Sequence, residues 1–246
     1  MRDPPVTAWT GGAGGGSGPP LVLIAHGSRD GRSSAVVRRI AARLDARAAF
    51  IDFDRPDPVT LLTALADAGH RTAVVVPLLL TDAFHSRVDV PRLVAEVREK
   101  RPRLEVLLGA PIGGAELVPA LARPLGPCDG VVLAAAGTRD RVALAHVGDM
   151  ARRLGRHLGV PGVTAYAASA EPTVAGAVAE LRASGARNVA VASYFIAPGL
   201  LYERVRAGAV TAGVPIAPPL GDAEELLGAV RAEYAGALRG PVAAAA

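Results

Sequence analysis

The chain contains one ten-residue segment that occurs twice in nearly the same form. Residues 21–30 read LVLIAHGSRD, and residues 131–140 read VVLAAAGTRD. Each segment is an apolar run followed by glycine, a hydroxyl residue, arginine and aspartate, which predicts a buried strand leading into a helix. A second match pairs LADAG at 65–69 with LRASG at 181–185. The chain is therefore expected to fold as two copies of one unit.

The pattern around these segments predicts alternating strands and helices. Short runs rich in Val, Ile and Leu alternate with stretches in which apolar residues recur at helical spacing. That order is typical of parallel sheets covered on both faces, and we predict two tandem flavodoxin-like α/β domains related by internal duplication. The predicted strands are 21–25, 49–53, 73–80, 104–108, 131–135, 163–167, 189–195 and 215–217. The predicted helices are 34–44, 59–68, 90–98, 142–154, 173–183 and 223–235.

The predicted domains are residues 20–126 and 127–240. Residues 1–19 are rich in Gly and Pro and are expected to be a disordered leader, with a short tail at 241–246. The leader lacks the basic-then-apolar order of a secretion signal, and no apolar run approaches the roughly 18 residues of a membrane span. We therefore expect a cytoplasmic protein that does not enter a membrane.

The amino-acid composition excludes several classes of function. Half of the residues are hydrophobic and a fifth are charged, which is enough for a buried core. The net charge of +4 comes from arginines scattered among acidic residues, and aromatic residues, which could stack on bases, make up only 4% of the chain. We therefore expect no nucleic-acid partner. The single cysteine, Cys128, excludes a disulfide within the chain and a multi-thiolate metal site.

Three side chains that can bind a metal follow three successive strands of the first copy. His26 comes directly after the first strand, Asp52 lies at the end of the second, and His85 follows the third. Because ligands of open parallel sheets bind beyond the carboxyl ends of the strands, these residues are expected at one edge. Two imidazoles and a carboxylate suit divalent iron, cobalt, nickel or zinc.

The second copy replaces all three residues with apolar ones. By alignment, Ala136, Ala168 and Leu201 stand where the first copy has His26, Asp52 and His85. Joint loss of the three side chains favours a functional role for them over a packing role, although Asp54 and Asp57 lie close enough to compete with Asp52. The remaining histidines are not expected to take part; they are His70, His146 and His157.

The residues after His26 have two interpretations. Ser28 and Arg29 lie at the start of a predicted helix, where anions bind readily. The second copy keeps their character as Thr138 and Arg139. Ser28 and Arg29 therefore either form part of the scaffold or contact an anionic substrate.

Two motifs carry a family resemblance. The AHGSR turn at 25–29 resembles the opening motif of the class II sirohydrochlorin chelatases, and residues 77–91, which include His85 and end in DVP, are similar to that family's second signature. The similarity runs from about residue 20 to the end of the chain, as in long members with a degenerate second domain. It implies insertion of cobalt or ferrous iron into sirohydrochlorin, for cobalamin or siroheme, with the tetrapyrrole between the domains.

The resemblance also implies roles for individual residues. His26 and His85 would bind the metal and accept the pyrrole protons, and Asp52 would be a third ligand where the family often has a glutamate. We expect Ser28, Arg29 and Arg87 to bind the substrate. No tightly bound cofactor is expected beyond the divalent metal substrate, which is cobalt, iron or nickel. The chain lacks a G-x-x-x-x-G-K-[ST] motif, so no ATP requirement is expected. The duplication favours a monomer.

Three other functions compete with this one. A non-catalytic carrier of metal or tetrapyrrole would use the same residues without turnover. A phosphatase with a histidine nucleophile usually has arginine before that histidine, where this chain has Ala25. A degenerate or regulatory relative would have lost its ligand set, and Asp52 in place of glutamate is the feature that favours it.

Overall fold

The computed structural model describes residues 18–81 and 89–240, and strands alternate with helices along both copies. The first half contains β1 (Leu21–Ala25), α1 (Gly31–Arg43), β2 (Arg47–Phe50), α2 (Pro58–Asp67), β3 (Thr72–Pro77), α3 (Val90–Lys100), β4 (Glu105–Leu108), a 3-10 turn (Ala115–Leu117) and α4 (Val118–Ala122). The second half contains β5 (Gly130–Ala135), α5 (Arg141–Leu158), β6 (Gly162–Tyr166), α6 (Val174–Ala183), β7 (Val189–Ser193), α7 (Leu200–Thr211) and α8 (Glu224–Arg239).

Both sheets are parallel and share one topology. The first has the order β2-β1-β3-β4, and the second has the order β6-β5-β7. The two central strands, β1 and β5, are buried along their whole length, as their continuous apolar sequence predicts. The predicted fold class, two parallel sheets flanked by helices, is confirmed.

The helices begin where the two copies supply equivalent capping residues. The Asp30 side chain accepts a hydrogen bond from the backbone N–H of Arg32 at the start of α1. Asp140 caps α5 in the same way, by accepting from the N–H groups of Val142 and Ala143. These side chains satisfy backbone donors that the first turn of a helix leaves without a partner.

Four helices lie between the two sheets and form one core with both. Helices α2 and α3 cover the outer face of the first sheet, and α6 and α7 cover the outer face of the second. Helices α1, α4, α5 and α8 pack in the shared core against the inner faces of both sheets. The two halves are thus layers of one body.

The last helix of each half packs against the other half. Helix α8 lies on β3 and β4 of the first sheet, where the Glu233 carboxylate accepts a hydrogen bond of 2.8 Å from the Ala110 N–H. In return, α4 packs against α5 and β7. Because of this exchange, each sheet needs a helix from the other half, and the domain boundary at residues 126/127 stays a prediction.

Some predicted strand bounds are wrong. β2 covers residues 47–50 rather than 49–53, and β3 and β7 end at Pro77 and Ser193, before the predicted ends at 80 and 195. The last predicted strand, 215–217, is reduced to an isolated bridge between Val191 and Ile216. Prolines at 215, 218 and 219 flank that bridge, and their missing N–H groups prevent a longer ladder.

Helices α4 and α7 were not predicted from the sequence. Helix α4 has five residues, too few to show a period. Helix α7 buries only Val205 and Ala209, so its apolar face is a thin stripe. Among the described residues, no helix is long and apolar enough to cross a membrane.

Tyr194 links the two halves through its hydroxyl group. This side chain follows β7, and its hydroxyl lies 2.9 Å from the Leu80 carbonyl oxygen and 2.7 Å from that of Gly113, both in the first half. The His146 Nε2 lies 3.1 Å away on the other side. Burial raises the pKa of Tyr194, so the phenol stays protonated and can donate at neutral pH.

We expect Tyr194→Phe to lower the free energy of unfolding by about 2 kcal/mol, because it leaves a buried carbonyl group without its donor. Tyr202→Phe, on the partly exposed side of α7, is the matched control and should change that free energy by less than about 0.5 kcal/mol. Urea unfolding followed by circular dichroism measures both. Equal effects of the two variants would contradict the role assigned to the Tyr194 hydroxyl.

Candidate functional site

His26 and Asp52 lie side by side at the carboxyl edge of the first sheet. The His26 Nε2 atom is 4.0 Å from the Asp52 Oδ2 atom, and both side chains are partly exposed, at 39% and 56%. The gap is too long for a hydrogen bond. It is no wider than twice a usual metal–ligand distance of about 2.1 Å, so one divalent ion could bind both atoms.

Gly27 lets the two loops that carry these residues approach each other. Its φ is +91°, and an ideal Cβ at this position would lie 1.8 Å from the Asp52 carbonyl oxygen. The Asp52 N–H donates to the His26 carbonyl oxygen at 2.8 Å, which fixes the two loops together. The proximity of His26 and Asp52 therefore depends on a residue without a side chain.

The second half repeats this backbone without the ligands. Gly137 has a φ of +88°, and its ideal Cβ would lie 1.8 Å from the Ala168 carbonyl oxygen. The Ala168 N–H donates to the Ala136 carbonyl oxygen at 3.1 Å. The structure thus agrees with the sequence alignment of His26 with Ala136 and of Asp52 with Ala168, and the second copy has methyl groups where the first has an imidazole and a carboxylate.

The two competing carboxylates have structural partners. Asp54 accepts a hydrogen bond of 3.3 Å from the Ser28 N–H and lies 3.8 Å from the Arg38 guanidinium. Asp57 caps α2 by accepting from the Thr60 N–H at 2.9 Å. Burial alone would raise the pKa of Asp57, but the hydrogen bonds from Thr60 outweigh it and lower the pKa. Asp52 is therefore the carboxylate of this loop that lies beside His26.

Ser28 and Arg29 differ in their surroundings. The Ser28 hydroxyl accepts a hydrogen bond of 3.1 Å from the Asp30 N–H, and Thr138 makes the same bond to Asp140 in the second half. This shared bond favours a scaffold role for Ser28. Arg29 is exposed, and its guanidinium lies over the ring of Phe53.

His85 and Arg87 lie outside the described residues, as does the middle part, 82–88, of the segment that resembles the family's second signature. Their roles, and the pairing of His85 with Leu201, stay predictions. Within residues 18–81 and 89–240, no group of three or more His, Cys, Asp or Glu side chains is arranged to hold a metal ion. His26 and Asp52 supply two candidate ligands of the expected set.

The loop after His26 faces the second half of the molecule. An ideal Cβ on Gly199, just before α7, would lie 3.6 Å from the Ser28 hydroxyl oxygen. One turn further along, Glu203 accepts a hydrogen bond of 3.0 Å from Arg32 at the start of α1. The first turn of α7 is therefore the wall opposite this loop.

A cavity of about 330 Å³ lies elsewhere, between α4 and the segment 217–220. Its lining supplies apolar side chains and prolines, with Arg123 and Ser193 as the polar residues. It contains no histidine or carboxylate that could bind a metal. The candidate functional site is therefore the edge of the sheet at His26 and Asp52, and not this cavity.

Both copies of this α/β unit match one known protein family. The model of the CbiX family matches residues 20–124 and 130–237. The chain belongs to the CbiX family. The resemblance predicted from the two motifs is therefore confirmed, and the family match covers both halves.

Two curated relatives from Priestia megaterium are named as chelatases. Its sirohydrochlorin ferrochelatase is 26% identical over 202 residues, which are 76% of this chain and 76% of the relative. Its sirohydrochlorin cobaltochelatase is 29% identical over 99 residues, which are 38% of this chain and only 32% of that longer relative.

Solved structures show the same fold with both halves. SirB from Bacillus subtilis with Fe³⁺ has a TM-score of 0.77 at 21% identity, over 89% of this chain and 95% of SirB. The sirohydrochlorin chelatase SirB from Bacillus subtilis subspecies spizizenii in complex with cobalt has a TM-score of 0.79 at 20% identity, over 91% and 96%. At this identity the likeness concerns the fold.

The sequence pattern of this CbiX chain did not indicate a role for Phe53. It directly follows Asp52, its ring stacks near that of His26 with centroids 6.2 Å apart, and 60% of the residue is exposed. An aromatic residue in an apolar run predicts a buried strand position, which is why the predicted strand extended to residue 53. The chain instead turns out of the sheet after Phe50.

The other described histidines lie at three different places in the fold. His70 lies between α2 and β3, and His157 is exposed near the end of α5. His146 contacts Tyr194 in the link between the halves. Among the described residues, none of them forms with His26 and Asp52 a group that could hold a metal ion, and their exclusion from the site stays a prediction.

We expect Gly27→Ala to lower the free energy of unfolding by about 3 kcal/mol, since it combines an unfavourable φ with a clash against backbone. Gly31→Ala is the matched control in the same segment, because an ideal Cβ there meets nothing within 4 Å at the start of α1. It should leave stability unchanged or raise it by up to about 1 kcal/mol. Urea unfolding compares the two, and a mild effect of Gly27→Ala would contradict the close approach.

Proposed function

We propose that this chain inserts a divalent metal, Co²⁺ or Fe²⁺, into sirohydrochlorin without ATP. Support comes from the CbiX family match over both halves and from relatives named as sirohydrochlorin cobaltochelatase and ferrochelatase. The single observation that carries the proposal is the pair of His26 and Asp52, 4.0 Å apart at the edge of one sheet, with both replaced in the other copy.

The reaction exchanges one metal ion for two protons. The two inner N–H groups of the macrocycle lose their protons, and the four ring nitrogens then bind the metal. A neutral imidazole has a nitrogen lone pair that can first bind the metal and afterwards accept a proton, so His26 can serve both purposes. His85 would supply the second imidazole.

An incomplete ligand set suits a metal that must leave. Structural metal sites hold the ion in a closed set of four protein ligands. His26 and Asp52, with His85 as the expected third ligand, leave coordination positions open towards the macrocycle. The Asp52 carboxylate also offsets part of the positive charge of the metal before the macrocycle does so.

Cations near His26 would bind the carboxylates of the tetrapyrrole. Arg29 is the described candidate, because it is exposed and lies at the same loop as His26. Guanidinium groups bind carboxylates through paired hydrogen bonds. Arg87 is proposed for the same role from the sequence. A monomer and a cytoplasmic location also stay proposals, and the two-sheet body favours the first.

We expect His26→Ala and His85→Ala each to slow metal insertion by about 100-fold or more, as loss of a general base does. His157→Ala, on the exposed surface of α5, should leave the rate unchanged. The assay follows the absorbance of sirohydrochlorin with Co²⁺ or Fe²⁺ against the rate without protein. If wild type does not exceed that rate, the chelatase proposal fails; if it binds substrate but does not turn over, the carrier alternative takes its place.

The role of Asp52 can be tested with one variant that removes the charge of its side chain and one that lengthens the side chain. Asp52→Asn removes the charge at nearly the same size, and we expect it to reduce the insertion rate by about 10-fold. Asp52→Glu keeps the charge that the family's glutamate provides and should retain most of the activity. Asp54→Asn serves as a control for the loop, since its hydrogen bond to Ser28 is structural. Equal rates for Asp52→Asn and wild type would remove Asp52 from the ligand set.

A further inference from the structure

Phe53 has features that the core of the protein does not explain. It is 60% exposed, and it belongs to neither of the apolar clusters that cover the first sheet. Large apolar side chains on the surface lose the free energy that burial would give them. Something other than core packing therefore accounts for an aromatic ring at this position.

The backbone at Phe53 does not require an aromatic residue either. Its φ is +65°, a conformation that is unfavourable for bulky side chains. The equivalent residue in the second half, Ser169, has a φ of +61°. Both copies thus share the loop shape, and the copy without metal ligands has a small polar residue there.

The Phe53 ring contacts two residues with proposed roles. The Arg29 guanidinium carbon lies 5.4 Å from the ring centroid, over its face, which is a cation–π contact. The His26 ring lies 6.2 Å away between centroids, at an angle of 24° to the Phe53 ring. One side chain therefore contacts both the candidate metal ligand and the candidate carboxylate-binding cation.

We propose that Phe53 is a positioning residue that holds Arg29 at a fixed place relative to His26. In the chelatase reaction proposed above, a substrate carboxylate bound by Arg29 would then place the centre of the macrocycle at His26. Arginine has a long and flexible side chain, and fixing it before the substrate binds reduces the entropy lost on binding. Phe53 would thus act on substrate affinity through Arg29.

The backbone of His26 is held independently of the Phe53 ring. The Asp52 N–H bonds to the His26 carbonyl oxygen, and Gly27 packs against the Asp52 carbonyl group. Removal of the ring is therefore expected to affect KM for the tetrapyrrole more than kcat. It should leave metal binding to the protein without tetrapyrrole unchanged.

The central test is Phe53→Ser, which introduces the residue that the second copy has at this position. We expect KM for sirohydrochlorin to rise about 5-fold and kcat to change less than about 3-fold. Binding of Co²⁺ alone, followed by its visible absorbance, should match wild type, and urea unfolding should show no loss of stability. Phe53→Tyr retains the ring and should keep KM within about 2-fold of wild type, and Val210→Ser is the exposed control on α7.

A double-mutant cycle separates positioning from a general disturbance. If Arg29→Gln alone raises KM about 10-fold, the double variant with Phe53→Ser should stay near 10-fold, because Phe53 acts through Arg29. A rise to about 50-fold would show independent effects and overturn the proposal, as would a wild-type KM in Phe53→Ser. An inactive wild-type protein would instead refute the chelatase function. Loss of Co²⁺ binding in Phe53→Ser would also overturn the proposal, because it would show that the ring supports the metal ligands and not Arg29.

Discussion

The helices between the two sheets belong to both halves, and the site depends on the way they fix those halves together. Inner-face residues of both sheets and of α1, α4, α5 and α8 form one apolar core. The last helix of each half packs against the sheet of the other half. Separation of the halves would expose apolar surface on both sheets at a large free-energy cost. The loop after His26 and the first turn of α7 are therefore held opposite each other by the same packing that folds the chain.

The two copies have the same backbone conformation at this edge and differ in the chemistry of their side chains. Gly27 and Gly137 allow the same close approach, and Phe53 and Ser169 have the same positive φ. Both copies therefore contain residues in an unfavourable positive-φ conformation at this edge, although only one copy has an imidazole and a carboxylate there. Such a difference is expected when a duplicated fold keeps one site and uses its second copy as a wall.

The sequence predicted the features that depend on local pattern. Continuous apolar runs located β1 and β5, and the position of His26 and Asp52 after adjacent strands placed them at one edge. Features that depend on tertiary contacts were not predicted. The exchange of α4 and α8 between the sheets leaves no periodic signal. β2 ends at Phe50 although the N–H groups of Ile51 and Asp52 still bond to Ala25 of β1 and to His26, and an apolar pattern does not reveal this end.

Phe53 shows why an apolar residue beside a ligand is hard to interpret from sequence alone. In the run FIDF at 50–53, Phe50 is buried in the core, whereas Phe53 is exposed next to His26 and Arg29. The two phenylalanines differ only in the turn between them, which begins where Gly27 admits the Asp52 carbonyl group. The close approach at Gly27 thus belongs to the same turn that leaves Phe53 on the surface beside His26 and Arg29. The chemistry of this edge is therefore specified by pairs of loops, and substitutions in either loop should be interpreted together.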